Sequence, residues 1–228
     1  MIALPVAATL ISFVFGLHLM IRSGRRRAWF EGVWGLAMLM FAVASGALVL
    51  GVGDGWSPAE FRMYWLFGAV LNVPYLALGE AYLLIKQRWV SHLLLLVVLG
   101  ATAWASAEIR SAPLNADVLR TQEFFTGREV LGADAPARAL AMIYSYAGTA
   151  VLILGILWSA LGMRARPNLR NRFYGVLLIA LGALIVAGGA AFAAAANFPG
   201  FSVTLAAGVA VMYWGFLTAT RQAPQTSR

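Results

Sequence analysis

Seven runs of about twenty apolar residues follow one another along this chain, near 2–22, 30–53, 63–85, 91–108, 139–163, 173–197 and 200–220. A helix rises about 1.5 Å per residue, so a run of that length crosses a hydrocarbon layer roughly 30 Å thick. Lipid offers the backbone no hydrogen bonds, so such runs must fold as helices. The expected fold is therefore all-α, a polytopic membrane protein with one transmembrane domain of seven spans over 1–228. Composition supports this: 61% of residues are hydrophobic and 11% charged, against roughly 45–50% and about 25% in a soluble domain. That balance excludes a soluble globular domain, a disordered chain and a nucleic-acid partner. Absence of cysteine removes thiol chemistry, disulfides and thiolate metal sites.

The charges give the spans a direction. Of the 17 basic residues, twelve flank the connections between spans one and two, three and four, and five and six, or lie in the tail. Arg62, Arg110, Arg120, Arg128 and Arg138 fall on the other side, as do Asp54, Glu60, Glu108, Asp117, Glu123, Glu129 and Asp134. Basic residues collect on the cytoplasmic side. The N-terminus is thus expected outside and the C-terminus inside. The net charge of +8 reads as a topology signal with some affinity for anionic headgroups. The arginine cluster follows the first apolar run, so that run is expected to stay as an anchor. Lys86 is the single lysine, and Ala, Gly and Val abound. That is the coding habit of a GC-rich bacterium, so the expected home is a bacterial cytoplasmic membrane.

The long connection, 109–138, lies outside. Val118, Gln122 and Phe125 have helical spacing there, consistent with a short surface helix. It is either a lid over an outward-facing cavity or a solvated connector. An internal repeat also shows. At an offset of 143, FEGVWGLAMLMFAVASGA (30–47) and FYGVLLIALGALIVAGGA (173–190) share 8 of 18 positions. The expected plan is two three-helix bundles, spans 1–3 and 5–7, with span four as linker. An odd linker makes the repeats parallel, related by an axis along the membrane normal.

This arrangement resembles the 3+1+3 plan of sugar and vitamin transporters of the SWEET and PnuC type. It also resembles the seven-span, N-out plan of opsins and receptors. The Pro-Gln pair of the SWEET-like families is absent, and so is the opsin lysine in span seven, which removes retinal Schiff-base chemistry. The stretch LFGAVLNVPYLALGEAYLL (66–84) is similar to uncharacterised seven-span proteins of GC-rich bacteria. The transporter resemblance implies a site between the two bundles.

Small residues let membrane helices approach closely. Gly148, Gly155 and Gly162 in span five, and Gly175, Gly182 and Gly189 in span six, repeat every seven residues. This spacing predicts a tight five–six hairpin, or a flat ligand such as a quinone or carotenoid lying on the stripe.

Polar groups within spans mark the candidate site, because each ionisable one costs about 2.5–3.5 kcal/mol to insert. Glu80 lies six residues before Lys86, about 9 Å along the helix. It is a charge or proton element, or else an ion pair with Arg22 or Arg88. Upstream, Pro74 removes a backbone hydrogen bond and should kink span three, freeing the carbonyl of Val70. Asn72 and Tyr75 stand beside that kink near the midplane. Asn72 and Glu80 are eight residues apart and are expected to share a face. Tyr213 and Trp214 in span seven complete the candidate ligand-binding set, and Trp158 is deep enough to line a cavity. Trp29, Trp56, Trp65, Trp89 and Trp104 read as interfacial belt. His18 and His92 lie at similar depth, where they are structural, the two axial ligands of a b-type haem, or, for His18, a relay partner of Glu80. No cofactor is named by a motif. No HExxH, metal-binding carboxylate cluster, Ser-His-Asp set or phosphate loop occurs, so the sequence names no catalytic residue and no metal ligand.

Two functions remain open. One is binding or transport of a small or lipophilic molecule between the bundles. The other is a non-catalytic membrane subunit, sensor or scaffold working through helix contacts with a membrane protein partner or a second copy. A continuous polar cavity between spans 1–3 and 5–7 favours the first, and a filled interior the second.

Overall fold

The computed structural model describes residues 2–164 and 169–220. Seven long apolar helices are present, and no strand occurs among the described residues. Spans one to four are Ala3–Arg26, Trp29–Asp54, Pro58–Leu84 and Arg88–Ser111. Span five is Pro136–Arg164, and spans six and seven are Arg170–Ala194 and Phe198–Thr220. The chain is an integral membrane protein of seven helical spans. Local chemistry sets several ends. Arg27 takes a left-handed conformation, φ 52°, and closes span one. Ser57 and Glu60 form a reciprocal capping box, with Pro58 at the first helical position, and open span three.

The irregularity expected at Pro74 sits upstream of it, as a π-helical stretch over Tyr64–Leu71. Proline has no N–H to donate, so the backbone adjusts by widening the preceding turns, and such bulges often lie beside functional groups.

Packing follows a closed order. Span one lies on span two, two on three, three on five, five on six, six on seven, and seven back on one. Span four stands outside this six-helix ring, against spans three and five. Spans 1–3 and 5–7 therefore form two consecutive triples that meet along two seams, one–seven and three–five. A two-fold axis along the ring would exchange the two seams, which is the arrangement a 3+1+3 plan requires.

The glycine stripes do not make a five–six hairpin. A Cβ added at Gly182 would lie 2.5 Å from the carbonyl oxygen of Gly208, and one at Gly215 would lie 2.7 Å from that of Gly175. Spans six and seven thus approach backbone to backbone. Two of the span-five glycines serve span three instead: a Cβ at Gly148 would meet Val73 and Pro74, and one at Gly155 would meet Glu80, whereas one at Gly162 would meet nothing within 4 Å. The seven-residue period was informative about close packing but carried no information on which neighbour was approached.

The outer connection is largely exposed but anchored on the bundle by a few apolar side chains. Two short helices, Ala116–Thr121 and Gly127–Leu131, bracket a turn that carries Phe124 and Phe125. The first ends before Gln122, so Phe125 is not on it. Phe125 packs on Trp56 and Phe61, at ring-centroid distances of 5.0 and 5.7 Å. Phe124 packs on Phe198 and Phe201 at 5.3 and 5.4 Å. Adjacent phenylalanines thus tie one triple to the other across the Arg-poor end. Trp56 donates to the Glu123 carbonyl at 2.9 Å and Trp65 to that of Ala137 at 3.2 Å. These two tryptophans belong to the cap and not to the belt. Trp29, Trp89 and Trp104 remain exposed as belt residues should be.

Candidate functional site

The ring axis is the place where a ligand between the triples would sit. It holds a cavity of ≈ 20 Å³ lined by Phe15, Leu19, Trp34, Met38, Leu76, Leu152, Ile179, Met212 and Phe216, drawn from all six ring helices. That is space for about one water. The single indole N–H in this wall is already committed, because Trp34 donates to the Leu76 carbonyl at 3.0 Å. The axis is therefore apolar and nearly filled.

The sequence-derived site residues lie around this axis without converging on one cavity. Asn72 is buried and donates from Nδ2 to the Ala37 carbonyl at 2.7 Å, tying span three to span two. Tyr75 is buried, and its hydroxyl shares a hydrogen bond of 3.2 Å with Thr102 of span four. Pro74 lies on the span-five side, near Gly148. Glu80 faces Gly155 of span five, so Asn72 and Glu80 do not share a neighbour. Their 80° angular offset, small on a helical wheel, is enough to aim them at different helices. Tyr213 packs on Phe15 at 4.9 Å, and its hydroxyl lies 3.3 Å from His18 Nδ1. Trp214 is 58% exposed and Trp158 76%, so both point out of the bundle toward lipid and neither lines the axis.

The ion pair expected for Glu80 forms elsewhere. Arg22 Nε donates to Glu31 Oε1 at 2.8 Å, and the guanidinium sits 5.3 Å over the Phe216 ring. Glu31 was not anticipated as a site residue. Its signal was present: it is the acid at the start of a span on the Arg-rich side, nine residues from Arg22. Glu80 is 2% exposed, and its Oε1 has no hydrogen-bond partner among the described residues. Glu31 Oε2 is likewise buried and unpartnered.

No family model, curated protein or solved structure matches this chain.

Its chemistry is accordingly read from geometry alone. The histidines do not make a haem site. His18 bonds Tyr213 of span seven, whereas His92 on span four has its Nδ1 2.8 Å from the Tyr82 hydroxyl of span three, and spans one and four do not pack together. His18 also pairs with Tyr213 and not with Glu80. Among the described residues no group of three or more His, Asp or Glu could hold a metal ion. Together these positions give two features: an interior knitted by interhelical hydrogen bonds, and one buried carboxyl, Glu80, outside that network.

Proposed function

We propose that this protein is a non-catalytic membrane component, a subunit, sensor or scaffold, that works through helix contacts. The filled axis carries this reading: six helices converge on a cavity with room for about one water. The polar side chains expected to form a binding site are spent on joining helices. Asn72 holds span two, Tyr75 holds span four and Trp34 holds span three. The wide apolar faces left outside suit lipid and a neighbouring membrane protein or second copy. Spans four and six are the most open of them, and span four is packed on the ring along one side only. The charge distribution places the Arg-rich end in the cytoplasm, and the composition suits a bacterial inner membrane.

A second reading, carriage of a small or lipophilic molecule between the triples, is favoured by one observation. The outer cap ties spans three and seven at one end, and Arg22, His18, Tyr213 and Phe216 hold the one–seven seam together at the other, as an occluded carrier would require.

Native mass spectrometry after gentle extraction separates the two. The helix-contact reading expects a defined homo- or hetero-oligomer carrying only lipid. A co-purifying small molecule of defined mass, lost in Asn72→Leu or Tyr75→Phe, would overturn it and establish the carrier reading.

A further inference from the structure

We propose that Glu80 binds and releases a proton inside the bundle, at the seam between spans three and five. Register sets the neighbours of Glu80. Trp34 donates to the Leu76 carbonyl and Asn72 to that of Ala37, so spans two and three run antiparallel with these pairs level. Three residues further along, Glu31 comes level with Gly79, next to Glu80. The Arg22–Glu31 ion pair brings span one to the same level. One layer in the Arg-rich third thus holds two buried carboxyls and one guanidinium. Arg22 compensates Glu31 at 2.8 Å. Nothing among the described residues compensates Glu80.

On the span-five side the surroundings of Glu80 are apolar. A Cβ at Gly155 would lie 2.5 Å from Glu80 Cγ and 3.1 Å from Leu84 Cδ1, so the carboxyl lies directly against the span-five backbone. Span five brings no ionisable group to that contact. Span two brings Glu31, already paired, and Trp34, whose indole lies against Gly79. Span four brings His92, bonded to Tyr82, and Arg88 near the Tyr82 hydroxyl. An unpaired charge in such a place is costly, whereas a proton on Glu80 makes the layer neutral. Release of that proton leaves a charge in the seam joining the two triples, so proton loading is linked to whether the seam stays closed. Leu76 and Leu152, about one turn from Glu80 and Gly155, belong to the wall of the axial cavity, so the site borders the centre of the ring. This inference stands on the interior layer and holds for a helix-contact component and for a carrier alike.

The test is infrared difference spectroscopy on the full chain in bilayers, wild type against Glu80→Gln, from pH 5 to pH 9. The expected result is a carboxylic-acid C=O band that is absent in the variant and is exchanged for carboxylate bands as pH rises. The acid-to-carboxylate ratio should fall at least about tenfold over that interval. A carboxylate signal at every pH, or an acid band unchanged through pH 9, would overturn the proposal. So would loss of the acid band when sodium replaces potassium at fixed pH, which would make the occupant a metal cation. Glu80→Gln keeps the shape and the neutral form, so it should fold and melt like wild type at pH 5. A large drop in melting temperature there would show that the site needs a charge and would also refute proton binding.

Discussion

Asn72 illustrates how a polar side chain can serve a membrane helix without serving a ligand. Its amide reaches 2.7 Å to a backbone carbonyl on the next span, and interhelical hydrogen bonds of this kind are worth about 1 kcal/mol. Asn72→Leu should therefore lower stability by about that amount in a detergent unfolding titration. Trp214→Leu, on a side chain that faces lipid, should stay within about 0.5 kcal/mol of wild type. At the outer surface, Glu129 Oε2 accepts from the Thr126 N–H at 2.6 Å and from its hydroxyl at 2.8 Å. These bonds, the backbone one foremost, hold its carboxyl below the ordinary range. A lowered folded value means stabilisation that is complete above the unfolded carboxylate range and is lost as pH falls through the folded value. Exchange of the Thr126 amide, relative to its intrinsic rate, should quicken on acidification in wild type. In Glu129→Ala, which removes the acceptor, it should be fast already at neutral pH.

At the scale of the element, glycine placement decides which helices touch. Gly182 has the Gly208 carbonyl 2.5 Å from where a Cβ would stand, whereas Gly188 on the same helix has nothing within 4 Å. Gly182→Leu must push span seven away from span six and should cost about 3 kcal/mol, the upper range for overpacking. Gly188→Leu should be tolerated, and a thermal melt of the two variants side by side checks the difference. Both residues are glycines in one apolar run, so composition does not tell them apart. Span three is the other instructive element. Its π-helical stretch, Tyr64–Leu71, precedes Asn72 and Pro74, and the proline announced an irregularity without specifying its form or position.

For the whole molecule, the outer cap and the two seams are the features that join the triples. Phe124 packs on one half and Phe125 on the other. Replacing both by Ala should loosen the cap, and limited proteolysis within 112–135 should accelerate by about tenfold or more, as expected for loss of roughly 1.4 kcal/mol or more of local stability. The chain has no cysteine, so a single one introduced at Leu96, or in a second variant at Gly188, each on a face open to lipid, would report neighbouring copies without background. Disulfide-linked dimers in native membranes support an assembly through those faces.

Sequence alone determined the class of fold. Seven long apolar runs leave the backbone no alternative to helices, and the burial of Asn72, Tyr75 and Glu80 follows from the cost of turning such groups toward lipid. The order of two triples around the ring agrees with the expected 3+1+3 plan. What the tertiary structure decided was partnership. Periodicity says that a face is small or polar, but it contains no term for the helix opposite, and in lipid every apolar face is equally soluble. Hence Gly155 went to span three and Gly182 to span seven, Arg22 went to Glu31 and left Glu80 unpaired, and Tyr213 met His18 while Trp214, its neighbour in sequence, turned outward. These outcomes depend on contacts between residues far apart in the chain, which only the closed ring of helices brings together.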